Sequence, residues 1–178
     1  MSRIENYEID IVQRTTEILK DHFPALEDKD REATFLMNCL LGIVVAISEN
    51  KKISQSIFNK SIDDDFLSLI PEKFGFITSY DNVKELRDIR LLKRTVNIGH
   101  KNELKSKTKI WFINRVRHAI AHQNINAINE DDKWVGVILY NKPKEVIDFE
   151  IEFDIDELKD FAFKLGNIYL DELKKKST

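Results

Sequence analysis

The chain has 178 residues, of which 33% are charged and 42% hydrophobic, and a formal net charge of −3. This mixture is typical of a folded globular protein and excludes a disordered or fibrous chain. The length fits one domain whose core needs neither a disulfide nor a metal for stability, so we expect a single domain over residues 1–178.

The first part of the chain predicts two helices. Apolar residues recur at helical spacing from Ile4 to Leu19, and the pattern ends at Pro24. The next stretch, Phe35 to Ile47, is apolar almost all round, which is typical of a helix at the centre of a bundle. Because this stretch is well short of the roughly 20 residues that cross a bilayer, we expect no membrane segment.

Two features of the sequence predict the cellular compartment of the protein. Cys39 is the only cysteine in the sequence, which excludes a disulfide framework within one chain and indicates a reducing compartment. The opening residues 1–8 are polar and lack the apolar segment of a secretory signal. We therefore expect a cytoplasmic protein.

Positive charge is concentrated in the middle of the chain. Residues 84–122 carry 11 Lys or Arg against 3 Asp or Glu, which leaves the remainder acidic. An apolar stripe over 83–96 predicts a helix here, and Arg87, Arg90 and Arg94 share its opposite flank. Such a basic surface fits the phosphates of a nucleic acid, and it equally fits an acidic face of the same protein.

A change of pattern later in the chain predicts a β-hairpin over about 134–153. Residues 134–140 are rich in β-branched and aromatic side chains, and residues 146–153 alternate strictly between apolar and acidic ones. Asp154 and Glu157 then resemble a capping box for a last helix over about 155–174. The predicted fold is a mainly helical bundle with a small β-hairpin before its C-terminal helix.

One stretch of the sequence carries unusual chemistry. Trp111–Ile125 holds Arg115, Arg117, His118 and His122 among apolar residues that belong in a core. Charged groups are costly in such a place, and a sequence that keeps them there indicates a use. The candidate site therefore centres on this stretch.

We predict that the stretch forms a helix over about 106–122, with Ser106 or Thr108 as its N-cap. On a helical wheel its buried face is formed by five residues: Phe112, Ile113, Val116, Ala119 and Ile120. A second face carries four residues: Trp111, Arg115, His118 and His122. Arg117 lies at the far edge of the apolar face, roughly 140° from His122.

Histidines and arginines in this arrangement suit the cleavage of a phosphodiester without a metal. A histidine with a near-neutral pKa moves protons, and a guanidinium binds a phosphate through a fork of donors. The ribose 2′-hydroxyl then attacks the neighbouring phosphorus while the cation stabilises the charge on the phosphate oxygens. The alternative is structural, with the histidines as partly buried helix residues and the arginines paired with Glu or Asp on a neighbouring helix.

Neither a metal nor an organic cofactor is expected. His118 and His122 have the spacing of helical zinc ligands, but Ala119 stands where the His-Glu-x-x-His motif has its glutamate, and no third ligand is close in sequence. The five glycines are scattered, so the chain also lacks a phosphate-binding loop.

Arg117-His-Ala-Ile-Ala-His122 resembles the signature of the HEPN superfamily (higher eukaryotes and prokaryotes nucleotide-binding domain). In that signature an arginine, commonly followed by a polar residue, precedes a histidine by four to six residues, and His118 takes the polar place here. The apolar stretch that begins at Phe35 looks like the second helix of a plasmid-encoded bacterial HEPN family. That family also carries a hairpin and a terminal helix after its motif, so the resemblance covers nearly the whole chain.

The resemblance implies a helical domain that dimerises, so that two copies of the motif form one composite cleft. Many HEPN proteins are metal-independent endoribonucleases, often toxins or defence effectors. Arg117 would then stabilise the scissile phosphate, His122 would act in proton transfer or orient the 2′-hydroxyl, and His118 would assist. The expected partners are RNA, a second copy of the chain, and an antitoxin or regulatory protein.

Two details qualify this assignment. Arg115 also satisfies the spacing and shares a wheel face with His122, so it competes with Arg117, which we favour because the polar residue directly follows it. Some HEPN toxins carry a tyrosine that a partner nucleotidyltransferase modifies, and Asn124 stands in its place, so that mode of silencing is not expected. Further contacts to RNA are predicted at five residues: Arg87, Arg90, Arg94, Arg115 and Asn124.

Two other functions remain open. The chain also fits a non-catalytic HEPN module that binds RNA or a nucleotide through the same cleft. It fits, too, a structural dimer whose basic segment meets an acidic partner or antitoxin. Motif residues locked in salt bridges away from a cleft would favour this last function.

Overall fold

The computed structural model describes residues 7–26, 31–50, 57–79, 89–94 and 97–177. Five α-helices lie in these ranges: α1 (Tyr7–His22), α2 (Glu32–Glu49), α3 (Asp64–Leu67), α4 (Lys109–Ala121) and α5 (Ile155–Ser177). Five strands form one sheet: β1 (Phe74–Ile77), β2 (Ile98–Gly99), β3 (Ile125–Glu130), β4 (Lys133–Asn141) and β5 (Phe149–Asp154). The fold is mainly helical, as predicted.

α2 is the central helix of the bundle. It packs against α1, α4 and α5, and the side chains of Leu36, Leu40 and Ile43 are completely buried among them. By length and composition alone, α2 is apolar enough to cross a membrane. In the fold these apolar side chains fill the core.

The sheet is larger than the predicted hairpin. Its strands are all antiparallel and follow the order β2-β1-β5-β4-β3. β4 and β5 are the two predicted strands, paired with Leu139 opposite Ile151. β1 and β2 have four and two residues, too few to produce an alternating pattern, and β3 contains two Asn residues that disfavour a strand by propensity.

α5 begins at the predicted capping box. The Asp154 carboxylate accepts a hydrogen bond from the Glu157 backbone N–H at 2.7 Å, and the Glu157 carboxylate accepts one from the Asp154 N–H at 3.0 Å. Two otherwise unsatisfied donors of the first turn are thereby bonded. The apolar stripe of α5, which includes Leu158, Phe161 and Leu165, is then buried against the core.

The helix predicted over 83–96 is wrong for its described second half. Arg90 has an extended backbone, and Leu91–Lys93 form only a single 3-10 turn. The segment lies instead against the sheet, where Arg90 forms an ion pair with the buried Glu150 and the Leu92 N–H donates to the same carboxylate. Arg87 lies outside the described residues.

α4 is held in the core by a cluster of aromatic rings. Phe112 is completely buried, and its ring centroid lies between 5.7 and 6.0 Å from those of four neighbours: Phe66, Phe74, Phe149 and Phe161. These neighbours come from α3, β1, β5 and α5, so α4 is anchored from several sides. The exposed face of α4 is therefore presented on a rigid support.

Candidate active site

The start of α4 is fixed by two polar contacts. Thr108, one of the two predicted N-caps, accepts a hydrogen bond from the Trp111 N–H at 3.2 Å. Lys109 is buried, and its ammonium lies 2.5 Å from the Asp63 carboxylate. All five residues of the predicted apolar face are buried: Phe112, Ile113, Val116, Ala119 and Ile120.

The end of α4 fixes the backbone at His122. The helix stops at Ala121, and Gln123 adopts a left-handed conformation with φ of 55°. The Gln123 N–H donates to the Ile120 carbonyl and the Asn124 N–H to the Ala119 carbonyl, which is the hydrogen-bond pattern of a Schellman motif. His122 is thus the C-cap residue of α4, and β3 begins at Ile125.

Arg115 is locked against the sheet. Its Nη1 donates to the Asp148 carboxylate at 2.7 Å, and the Asp148 side chain is only 1% exposed. The guanidinium also lies over the Trp111 ring, 5.4 Å from the centroid, while the Arg115 carbonyl accepts a hydrogen bond from Asn141. Removal of Arg115 from this place would leave a buried carboxylate without its cation.

Arg117 points to the other side of α4. Its guanidinium donates to Glu49, at the end of α2, at 2.8 Å, and 64% of the Glu49 side chain is exposed. The Arg117 Nε is buried and has no hydrogen-bond partner within the described part of the chain. The pairing with Glu49 therefore leaves one donor of the guanidinium unsatisfied.

The two histidines of the motif lie together on the exposed face between the arginines. The rings of His118 and His122 meet edge to face with centroids 5.9 Å apart. Partial desolvation lowers the pKa of His118 below its usual value of 6.5, and the positive charges of Arg117, His122 and Arg115 lower it further, whereas Asp148 opposes them. Burial and the neighbouring positive charges therefore both favour the neutral form of the His118 ring.

Two of the other predicted RNA contacts, Arg90 and Arg94, are each bound to other groups of the fold. Arg94 is buried, and its guanidinium donates to the backbone carbonyls of Ile89 and Ile147. Arg90 is paired with Glu150, as described above. Asn124 lies beside the motif, where its carbonyl accepts a hydrogen bond from the Tyr140 N–H.

On a single chain the motif occupies an exposed face of α4. A cavity of about 520 Å³ lies between α1 and α5, lined among others by Gln13, Thr16 and Phe163, and none of its lining residues belongs to α4. The motif is therefore separate from this cavity.

Sequence reasoning missed the acidic partners of the motif. Asp148 and Glu49 are distant from it in sequence, and each was one acidic residue among 31. The alternating pattern put Asp148 on the face of its strand opposite to Ile147, but no pattern indicated that Arg115 would reach it. Only the packing of α4 on the sheet brings the two side chains together.

A family model described as HEPN pEK499 p136 matches residues 1–176 of the chain. No curated protein and no solved structure matches the chain. The matched range includes the motif of α4 together with the helices and strands that position it.

Proposed function

Because the chain belongs to the HEPN pEK499 p136 family, we propose that it is a metal-independent endoribonuclease and that the motif of α4 forms half of its active site. One observation carries the proposal: two exposed histidines in ring contact lie on the last turns of α4, with an arginine on either side. Proton transfer and phosphate binding are the two capacities that this cleavage needs.

The histidines supply the proton transfers. The lowered pKa of His118 keeps its ring neutral near neutral pH, so it can accept a proton. In the proposed reaction the 2′-hydroxyl loses its proton to one histidine and its oxygen bonds to phosphorus. The bond from phosphorus to the 5′ oxygen then breaks, and this oxygen takes a proton from the other histidine.

Arg117 is the better candidate for the phosphate contact. Arg115 already neutralises a buried carboxylate and cannot leave it without cost. The partner of Arg117 is the exposed Glu49, and an exposed pair of this kind contributes about 0 to 1 kcal/mol. A phosphate can therefore replace that carboxylate on the Arg117 guanidinium.

The proposal extends to a cytoplasmic homodimer. In one chain the Arg117 guanidinium is paired with Glu49 at the end of α2, while the histidines lie on the exposed face of α4. A second copy of the motif, facing the first across a two-fold axis, would complete the set around one phosphate. An RNase of this kind would act as a toxin or defence effector that an antitoxin or regulatory protein restrains.

The direct test is RNA cleavage by the purified protein in EDTA. We expect single-stranded RNA to be cut with 2′,3′-cyclic phosphate ends, and Arg117→Ala and His122→Ala each to reduce the rate by about 100-fold or more without unfolding the protein. Arg14→Ala and His22→Ala remove the same residue types from exposed positions of α1 and should leave cleavage unchanged. Cleavage that survives both motif variants would remove these residues from the mechanism.

A second function is favoured by a specific observation. Both motif arginines form ion pairs within the chain, with Asp148 and with Glu49, as expected for a structural dimer whose basic segment meets an acidic partner protein. That dimer would bind the acidic partner, but it would release no cyclic phosphate from RNA under any condition. The cleavage assay therefore separates the two functions.

A further inference from the structure

A second surface lies on α4, one turn before Arg115. The Trp111 ring meets Phe76 and Phe149 in T-shaped contacts, with centroids 5.6 and 6.2 Å apart. These contacts hold the indole at a fixed angle while part of it stays at the surface. An immobilised and partly exposed indole is a stacking surface for a planar group.

Two cations lie over the ring of this indole. The Lys107 ammonium lies 5.5 Å from the centroid of the Trp111 ring, and the Arg115 guanidinium carbon lies 5.4 Å from it. Arg115 is fixed there by Asp148. We call Lys107, Trp111 and Arg115 the indole site.

Lys107 differs from the lysines beside it. Three of these each pair with a carboxylate: Lys101 with Glu72, Lys105 with Asp64 and Lys109 with Asp63. Within the described ranges Lys107 has no such carboxylate, and its ammonium lies instead over the rings of Phe76 and Trp111. Lys107 can therefore bind an anion without breaking a salt bridge.

An aromatic ring beside a cation is the combination that binds single-stranded nucleic acid, since a base stacks on the ring and its phosphate binds the cation. The Lys107 side chain, which makes no salt bridge within the described ranges, can give up its place over the ring. We propose that the indole site binds one unpaired nucleotide of an RNA strand, with the phosphate on the Lys107 ammonium and the base on Trp111 in the place that this ammonium leaves. Trp111 precedes His118 by about 10 Å of helix rise, so one strand can contact both. The inference rests on the proposed function, because it takes RNA as the substrate.

The test measures binding separately from cleavage. The probe is a short 2′-O-methyl oligouridylate with a fluorescent label, which cannot be cut because its 2′-oxygen is blocked. We expect Trp111→Leu to weaken its affinity about tenfold through lost stacking, and Lys107→Gln to reduce the slope of log affinity against log salt by about 0.7. Lys105→Gln, which removes a lysine already paired with Asp64, should change the affinity by less than about twofold.

Fluorescence of the folded protein gives a second readout that needs no change in the core around Trp111. The sequence has two tryptophans, so Trp134→Phe leaves Trp111 as the only indole emitter. We expect the oligouridylate to quench this emission at saturation, and polyglutamate of equal charge to leave it unchanged. Equal quenching by polyglutamate would overturn the assignment, because the site would then take any polyanion, including an acidic protein.

The outcomes separate this inference from the proposed function. Unchanged affinity in both Trp111→Leu and Lys107→Gln, or the absence of quenching at saturation, overturns the indole site even if the protein cleaves RNA. Loss of affinity in both variants supports the indole site even if the wild-type chain cleaves nothing, and in that case the proposed catalysis fails alone. If Trp111→Leu does not fold, Lys107→Gln and the quenching experiment decide the matter without it.

Discussion

The pKa of His118 depends on the charges of its neighbours in and around the motif. Positive charges of Arg117, His122 and Arg115 add to partial desolvation and lower its pKa below 6.5, and the Asp148 carboxylate acts in the opposite direction. An imidazole in this environment is mostly neutral near pH 7. The environment of His118 thus favours the neutral ring, which can accept a proton.

Two variants should shift the pKa of His118 in opposite directions. Arg117→Gln removes a neighbouring positive charge and should raise the pKa of His118, whereas Asp148→Asn removes a negative charge and should lower it. Titration of the His118 ring by NMR, assigned by comparison with His118→Asn, measures both changes. A wild-type His118 that titrates at or above 6.5, or two shifts of the same sign, would contradict the described electrostatics.

The same pKa has a consequence for stability. Below pH 6.5 the unfolded chain protonates His118 more readily than the folded chain does, so the unfolded state binds more protons in that range. The free energy of unfolding therefore rises with pH up to the unfolded pKa, and the contribution of His118 is lost as the pH falls below it. Urea unfolding of the wild type and of His118→Asn over this range should show a smaller slope in the variant.

The two arginines show where prediction from sequence reaches its limit. Both satisfy the spacing to His122, and a helical wheel cannot say which one is tied to another group. The difference lies in their partners, a buried Asp148 for Arg115 and an exposed Glu49 for Arg117, and both partners are distant in sequence. Local periodicity therefore identified the cluster, and only tertiary packing gives its two arginines different partners.

At the scale of elements, α4 depends on a cap that its sequence does not favour. Gln123 sits at the left-handed position of the Schellman motif with φ of 55°, where glycine is the usual residue because a Cβ is strained there. The predicted range of about 106–122 ends close to the observed end at Ala121, although the sequence has no glycine here to mark the stop. The two backbone hydrogen bonds after Ile120 and the start of β3 hold the residue in this conformation.

We therefore expect Gln123→Gly to raise the free energy of unfolding by about 0.5 to 1 kcal/mol, because it relieves that strain. Gln123→Ala is the matched control, since alanine retains the Cβ and should give no such gain. Urea unfolding at constant m-value compares the two variants. A glycine variant that is no more stable than the alanine variant would mean that the cap is not strained.

The remaining elements differ in how much of them a sequence reveals. The long helices α1, α2 and α5 have several turns of periodic apolar residues, and β4 and β5 have strong alternation or β-branched composition, so their patterns predicted them. β1, β2 and β3 are short or polar and are strands only because a neighbouring strand offers each a hydrogen-bonding edge: β5 for β1, β1 for β2 and β4 for β3. The segment 89–94 has helical periodicity, but in the fold Arg90 pairs with Glu150 of β5 and Arg94 donates to the carbonyls of Ile89 and Ile147, so tertiary contacts override that pattern.

In the whole molecule, the motif side chains extend from α4 in two directions. Arg117 extends toward Glu49 on α2, whereas His118 and His122 lie on the exposed face. If two chains exchange these groups across a two-fold axis, each active site takes Arg117 from one chain and His122 from its partner. The catalytic unit would then be the dimer, and a monomer would carry no complete site.

Mixing of two inactive variants tests this arrangement. A heterodimer of the Arg117→Ala and His122→Ala chains would contain one site with both residues and one with neither, so an equimolar, re-equilibrated mixture should regain about a quarter of the wild-type cleavage rate. Co-sedimentation of the two differently tagged chains verifies that heterodimers form. A mixture of Arg117→Ala with a chain carrying both substitutions forms the same dimers without an intact site and should stay inactive. Failure of the first mixture to regain activity, with heterodimers present, would show that Arg117 and His122 do not come from opposite chains.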